Sequence, residues 1–343
     1  QMKIKKRKTL KKCKNNANDP GRENEPGRAN DNGRANDNGR ANDNGRANEP
    51  GRANDPGKYA KLKSKKKILG HCSPRSNSET LTCFSRPSLK RIIKYWNNSN
   101  SKDPIIYSND ESRDKLFFKI NEKLKAICDD EYCWLKQPFI SNRSVVSEDY
   151  RPEMPKTWKS NKIEWLTTSD IEKVMKQYMK KHSDFLFVGA VPIDFDKQIS
   201  PGLCVVNELC RLKVKTLLKR GLHKLGIVFN LDPHDKPGTH WVSFFGNLKE
   251  GNLYYFDSYG FNPPKEVQEL VDKLMNQGKE NNVSMKYHQN KIRHQYKHSE
   301  CGVYSIHFIE SMLEGKSFDL FSKRKIDDDD MVKHRDRYYI KYL

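Results

Sequence analysis

The sequence predicts an α+β fold, and three observations carry that prediction. Beyond about residue 160, short apolar runs of strand type alternate with segments of helical period. Residues 80–140 carry helical spacing alone. Residues 21–56 repeat a six-residue unit with no large apolar side chain, so no core can form there.

Taken in order, the elements begin with a leader. The hexads GRENEP, three copies of GRANDN, GRANEP and GRANDP lead to KLKSKKK at 61–67. Residues 1–67 are therefore expected to be a disordered basic tail. PSLKRIIKYWN places Leu89, Ile92, Ile93 and Trp96 at helical spacing, and DKLFFKINEKLKAIC continues with Leu116, Ile120, Leu124 and Ile127. Residues 68–150 are expected to form a small helical domain, and RPEMPK (151–156) a linker into a domain spanning 151–343. In that domain SDIEKVMKQYM (169–179) reads as a helix capped by Ser169. DFLFVGAVPIDF and LGIVFNL read as strands. HWVSFFGNL and NLYYFDSYG pair across the turn KEG. PPKEVQELVDKLMNQ is an amphipathic helix opened by proline. VSMKYHQNK is a strand, CGVYSIHFIESML a helix, and the segment from DDDD onward a last helix with acids at its positive end.

The chain carries 65 Lys+Arg against 44 Asp+Glu, a net charge of +21. Residues 1–70 hold 20 basic and 8 acidic side chains, so most of the excess lies in the leader. Such a tail attracts nucleic acid without sequence preference, and the plainer expectation is a solvated leader. The start QMKIKKRKTLKK lacks the apolar stretch of a signal peptide, and no run approaches the roughly 20 apolar residues of a membrane helix. The eight cysteines are accordingly expected to be reduced thiols in an intracellular protein. Cys128 and Cys133, five apart, do not have the paired spacing of a zinc site.

One set of residues could do chemistry. Acyl transfer by a thiol needs a base, a group that holds the base, and donors for the oxyanion. His240 opens a strand, and Asp257 closes the next one, so adjacent antiparallel strands can bring both to one edge. Cys301 sits where a helix starts, where backbone amides favour a thiolate. Gly302 leaves room for the backbone N–H, and Gln295 offers a second, uncharged donor. Each piece alone has a plainer explanation. His240 could be a satisfied strand histidine, Asp257 a turn residue, and Cys301, like Cys204 and Cys210, a core cysteine.

Together, His240-Trp241, Asp257 within YYFDSYG, and Gln295 six positions before Cys301-Gly302 resemble the clan of Ulp-type (SUMO-specific) and adenovirus cysteine proteases. The chain order His, Asp, Gln, Cys is that clan's. GTHWVSFF, IRHQYKHSECGVYSIHFI, IDDDDMVKHR and CDDEYCWLKQP are similar to the polyprotein-processing cysteine proteases of African swine fever virus and other giant DNA viruses. The likeness covers roughly residues 80–343. It implies a central mixed sheet flanked by helices, with the helical segment as an N-terminal arm. It implies His240 as base, Asp257 as its orienting partner, Gln295 as oxyanion donor and Cys301 as nucleophile, with no cofactor or metal. Trp165 and Trp241 are implied as walls of a narrow channel for small, Gly-Gly-like residues; the plainer role for both is core packing. The implied activity is a thiol endopeptidase cutting viral structural precursors, located in the virion and the host cytoplasm. The alternatives are a deconjugating protease for SUMO or ubiquitin-like modifiers, and an inactive scaffold that binds nucleic acid through its tail.

Overall fold

The computed structural model describes residues 71–76, 81–143 and 147–341. The expected disordered tail at 1–67 and its hexads lie outside the described residues.

Helical spacing in the first described part yields α1 (Arg86–Ser99), α2 (Arg113–Leu124) and the single turn α3 (Glu131–Trp134). Each starts at a polar cap: Ser85 accepts from the Ser88 amide, Ser112 from Lys115, and Asp130 from Cys133. Their apolar faces, with Phe84, Trp134 and Tyr150, make one buried cluster. Far along the chain Ile340 joins it. RPEMPK is not a free linker. The Met154 amide donates to Ile340 and the Ile340 amide to Pro152, both at 2.9 Å, so the segment is bridged to the C-terminal region.

The next helix, α4 (Thr168–Lys181), is capped by Thr167 rather than Ser169. Thr167 accepts from the Asp170 amide, and Asp170 reaches back to the Thr167 N–H, which leaves Ser169 inside the first turn. Then come β1 (Phe185–Pro192), a small hairpin of β2 (Gln198–Ser200) and β3 (Leu203–Cys204), and the short helices α5 (Asn207–Cys210) and α6 (Val214–Lys219). The strands β4 (Lys224–Asn230), β5 (Trp241–Asn247) and β6 (Asn252–Phe256) follow. Helix α7 (Lys265–Glu280) crosses to β7 (Lys286–Gln289), and α8 (Cys301–Leu313), α9 (Asp319–Ser322) and α10 (Asp328–Tyr338) complete the chain.

Among the described residues five strands make one sheet in the order β1-β4-β5-β6-β7. β5 runs antiparallel to both β4 and β6, while β1 lies parallel to β4 and β7 parallel to β6. The sheet is therefore mixed, as expected. Strand pleating sends successive residues to opposite faces. Val228, Phe245 and Phe256 join the cluster that contains α4 and α8, and Phe229, Phe244 and Tyr255 join the one that contains α6 and α7. Both faces are covered, which is why β4 and β5 read as unbroken apolar runs.

Helix α8 is the centre of the molecule: all thirteen of its residues are buried. Each Ile, Val or Phe buried there contributes about 1.5–3 kcal/mol. The helix offers no exposed stripe, so its N-terminus is fixed in place by the core around it.

The expectation of reduced thiols is corrected for six cysteines. Cys72 pairs with Cys83, Cys128 with Cys133, and Cys204 with Cys210. Composition pointed to a reducing compartment, but the fold folds each pair back on itself within 5–11 residues of sequence. Cys301 is the free cysteine among the described residues.

Candidate active site

The hairpin β5–β6 brings His240 and Asp257 together. His240 directly precedes β5, and Asp257 directly follows β6; Ser243 faces Phe256 in the register, so the two flanking residues emerge at one end. His240 Nε2 lies 2.7 Å from Asp257 Oδ1, and both side chains are buried. The Cys301 side chain interacts with the same imidazole. Burial works against a charged ring. The hydrogen bonds to Asp257 and Cys301, with the charges of both, outweigh it and raise the His240 pKa to about 9.

Asp257 is itself held. Its oxygen also accepts the Tyr259 amide at 2.8 Å. Its backbone N–H donates to Asn290 Oδ1 at 2.9 Å, and Asn290 Nδ2 donates back to its carbonyl at 2.7 Å. The turn that follows is closed by Gly260, whose N–H meets the Asp257 carbonyl at 2.9 Å. At φ +76° it lies against the backbone of Ile292, where any Cβ would sit within 2.9 Å; only glycine fits.

Cys301 is the first residue of α8 and 2% exposed. Glu300 makes no side-chain cap, so the first amides of the helix keep their donors uncommitted. The Cα of Gly302 packs against a neighbour. A Cβ there would sit 3.0 Å from Leu166, so the glycine admits Leu166 against the helix start. Gln295 is fully buried. Its Oε1 accepts from Ser258 at 2.7 Å, and its Nε2 donates to the Lys297 carbonyl at 2.7 Å. One of its two amide hydrogens remains uncommitted. Trp241 is buried and donates from Nε1 to the Leu166 carbonyl at 2.9 Å, so most of its ring is core. Trp165, the residue before Leu166, is 43% exposed.

Sequence reading missed the groups that hold the loop between Gln295 and Cys301. Asp328 Oδ2 accepts the amides of Tyr296 and Lys297, each at 2.9 Å, and its other oxygen accepts from Tyr304 at 3.2 Å. Arg335, buried on α10, forks onto Glu300 at 2.8 and 3.0 Å and reaches the Ser299 carbonyl at 3.3 Å. Only the acid run IDDDD hinted at this. Its position at the start of α10 fits the helix dipole, but Asp328 serves the loop.

The family is decided by comparison with known proteins. The Ulp1 protease family, C-terminal catalytic domain, matches residues 225–342. A thiol protease of Acanthamoeba polyphaga mimivirus is 34% identical over 271 residues, covering 72% of this chain and 86% of that protein. The chain belongs to the Ulp1 family of cysteine proteases. Cysteine proteases of African swine fever virus are 25% identical over 228 residues, which covers 61% of this chain and 81% of theirs. The crystal structure of the protease of that virus shares the fold, with a TM-score of 0.59 at 20% identity over 81% of this chain and 99% of that one. This Ulp1-family enzyme thus has viral relatives and acts on polypeptides. Among its described residues no helix is long and apolar enough to cross a membrane.

Proposed function

We propose that this protease works through Cys301 as nucleophile, His240 as acid and base, Asp257 as the group that orients His240, and Gln295 with the Cys301 amide as oxyanion donors. The observation that carries the reading is the 2.7 Å His240–Asp257 bond, with the free, buried Cys301 interacting with the same ring. The thiolate attacks a peptide carbonyl and the oxyanion is held by the amide donors. His240 passes its proton to the leaving nitrogen, and water then clears the thioester.

The proposed substrates are viral structural polyproteins, cut after small Gly-Gly-like residues during virion maturation, in the virion and the host cytoplasm. Trp165 and Trp241 are the proposed channel walls, residues 68–150 the arm, and the basic stretch 1–67 a non-specific nucleic-acid contact. Incubation with core precursors of a giant DNA virus should give cuts after small-residue pairs, and Cys301→Ser should abolish them. Precursors left intact by active enzyme would overturn this choice of substrate. The second reading is a deconjugase for SUMO-like modifiers, favoured by the name SUMO-1 cysteine protease carried by some African swine fever virus relatives. A modifier carrying a C-terminal vinyl sulfone would then label Cys301.

A further inference from the structure

A stacked cation stands beside the proposed catalytic pair. The Tyr259 ring stacks on His240, with centroids 4.6 Å apart and planes at 30°. The guanidinium of Arg293 lies 5.4 Å from the centre of that ring and 4.6 Å from the centre of the Tyr296 ring. Its Nε donates to the Gln295 carbonyl at 2.9 Å. Two aromatic rings and one hydrogen bond thus fix the side chain in place. Arg293 is nevertheless exposed, and no carboxylate of the described residues pairs with it. The neighbouring cation differs: Lys325 also lies over Tyr296, at 4.6 Å, but is paired with Asp327 at 2.9 Å. Phe261, 65% exposed, extends the aromatic surface 5.9 Å from Tyr259.

The chemistry says which part of a substrate meets this surface. The leaving nitrogen must take its proton from His240, so the residues after the scissile bond depart on the His240 side of the thiol. The ring spacings bring Arg293 within reach of about three extended residues, at roughly 3.3 Å each. A guanidinium held flat with free amino groups matches a carboxylate better than any other side chain.

We propose that Arg293 is a specificity-determining residue that binds an Asp or Glu side chain within the three residues following the cleaved bond. The proposal rests on the assignment of His240 and Cys301 above and narrows the substrate to segments with an acid just after the cut.

The test uses the full chain and peptides with Gly-Gly before the bond and all twenty amino acids in turn at the three positions after it. Products are read by mass spectrometry, and each enzyme is scored by its own ratio of kcat/KM for acidic over amide side chains, so a general loss of activity cancels. Wild type should favour Asp or Glu about tenfold at one position, less as salt rises. Arg293→Gln should bring the ratio to about one, Arg293→Lys should keep part of it, and Arg293→Glu should turn the preference toward Lys and Arg. A wild-type ratio of one, or a ratio unchanged in Arg293→Gln, overturns the proposal alone when cleavage still depends on Cys301. If wild type cuts none of the peptides, the Gly-Gly reading of the substrate fails and the proposal falls with it.

Discussion

Two buried carboxylates of the described residues face imidazoles, one near each end of α8, and they differ in how much of their bonding capacity is spent. At the N-terminal end Asp257 binds one nitrogen of His240, and Cys301 interacts with the same ring. About 13 Å further along the axis, at 1.5 Å per residue, Glu310 accepts from Tyr178 at 2.5 Å, Tyr338 at 2.6 Å and Arg337 at 2.7 Å. His307 lies beside it at 3.8 Å. Burial alone would raise the Glu310 pKa; the hydrogen bonds from His307, Tyr178 and Tyr338 and the Arg337 charge hold it well below the usual carboxylate range instead. The residue types are nearly the same at both ends. One set has a valence left over for a substrate, and the other is closed. The sulfurs repeat the lesson, since six described cysteines are paired and Cys301 is not.

The sharpest test of the open end is Asp257→Asn. It should lower kcat by about a hundredfold or more, and lower Tm as well, because the bond that favours the charged ring is lost. The alkaline limb of activity, expected near the His240 pKa of about 9, should move to lower pH because the negative partner is gone. The sign follows from a pKa raised on folding: charged His240 contributes stability fully below the ordinary histidine value of about 6.5. That contribution is lost as pH rises through about 9. A limb that stays in place in the variant would break the link between the two residues.

Glu310→Gln should act the opposite way. Urea unfolding should show a loss of about 3 kcal/mol, while kcat stays within about twofold. Because the Glu310 pKa is depressed, its stabilisation is present above the ordinary carboxylate value of about 4.3 and fades as pH falls through the folded value. A large fall in kcat at unchanged stability would mean that the closed end is chemically active.

Removing the Cys72–Cys83 link by a double Cys→Ser change should cost about 2–3 kcal/mol, with kcat unaffected. Iodoacetamide applied to the native protein should modify Cys301 and spare the six paired cysteines, as read by peptide mapping without reductant. Labelling of Cys128 or Cys204 would remove the contrast among the sulfurs. The smallest effect is expected from Asp328→Asn, which loosens the loop amides of Tyr296 and Lys297. It should lower kcat about five- to tenfold at nearly constant KM, and Asp328→Glu should restore part of the loss.

Much of this was readable in advance because it is local. The KEG turn and its flanking apolar runs gave the β5–β6 hairpin, and that hairpin alone sets His240 against Asp257. The start of α8 at Cys301 was also visible, since the apolar run opens there. The β2–β3 hairpin and the one-turn helices were not, because two or three residues carry no period. The partners that hold the site, Asn290 for Asp257 and Arg335 for Glu300, come from 33 and 35 residues away, and only the folded core decides such pairings. The disulfides were missed for a different reason: a composition rule about compartments outweighed the short spacings.

The bridge between Met154 and Ile340 has a consequence for synthesis. The cluster around Phe84, Trp134 and Tyr150 counts Ile340 among its members, and that residue leaves the ribosome long after the others. The helices α1 to α3 emerge early, but their cluster is not complete until the whole sheet and α10 have been translated. Its nascent form must therefore wait with apolar surface uncovered, and chaperone demand should peak in that interval.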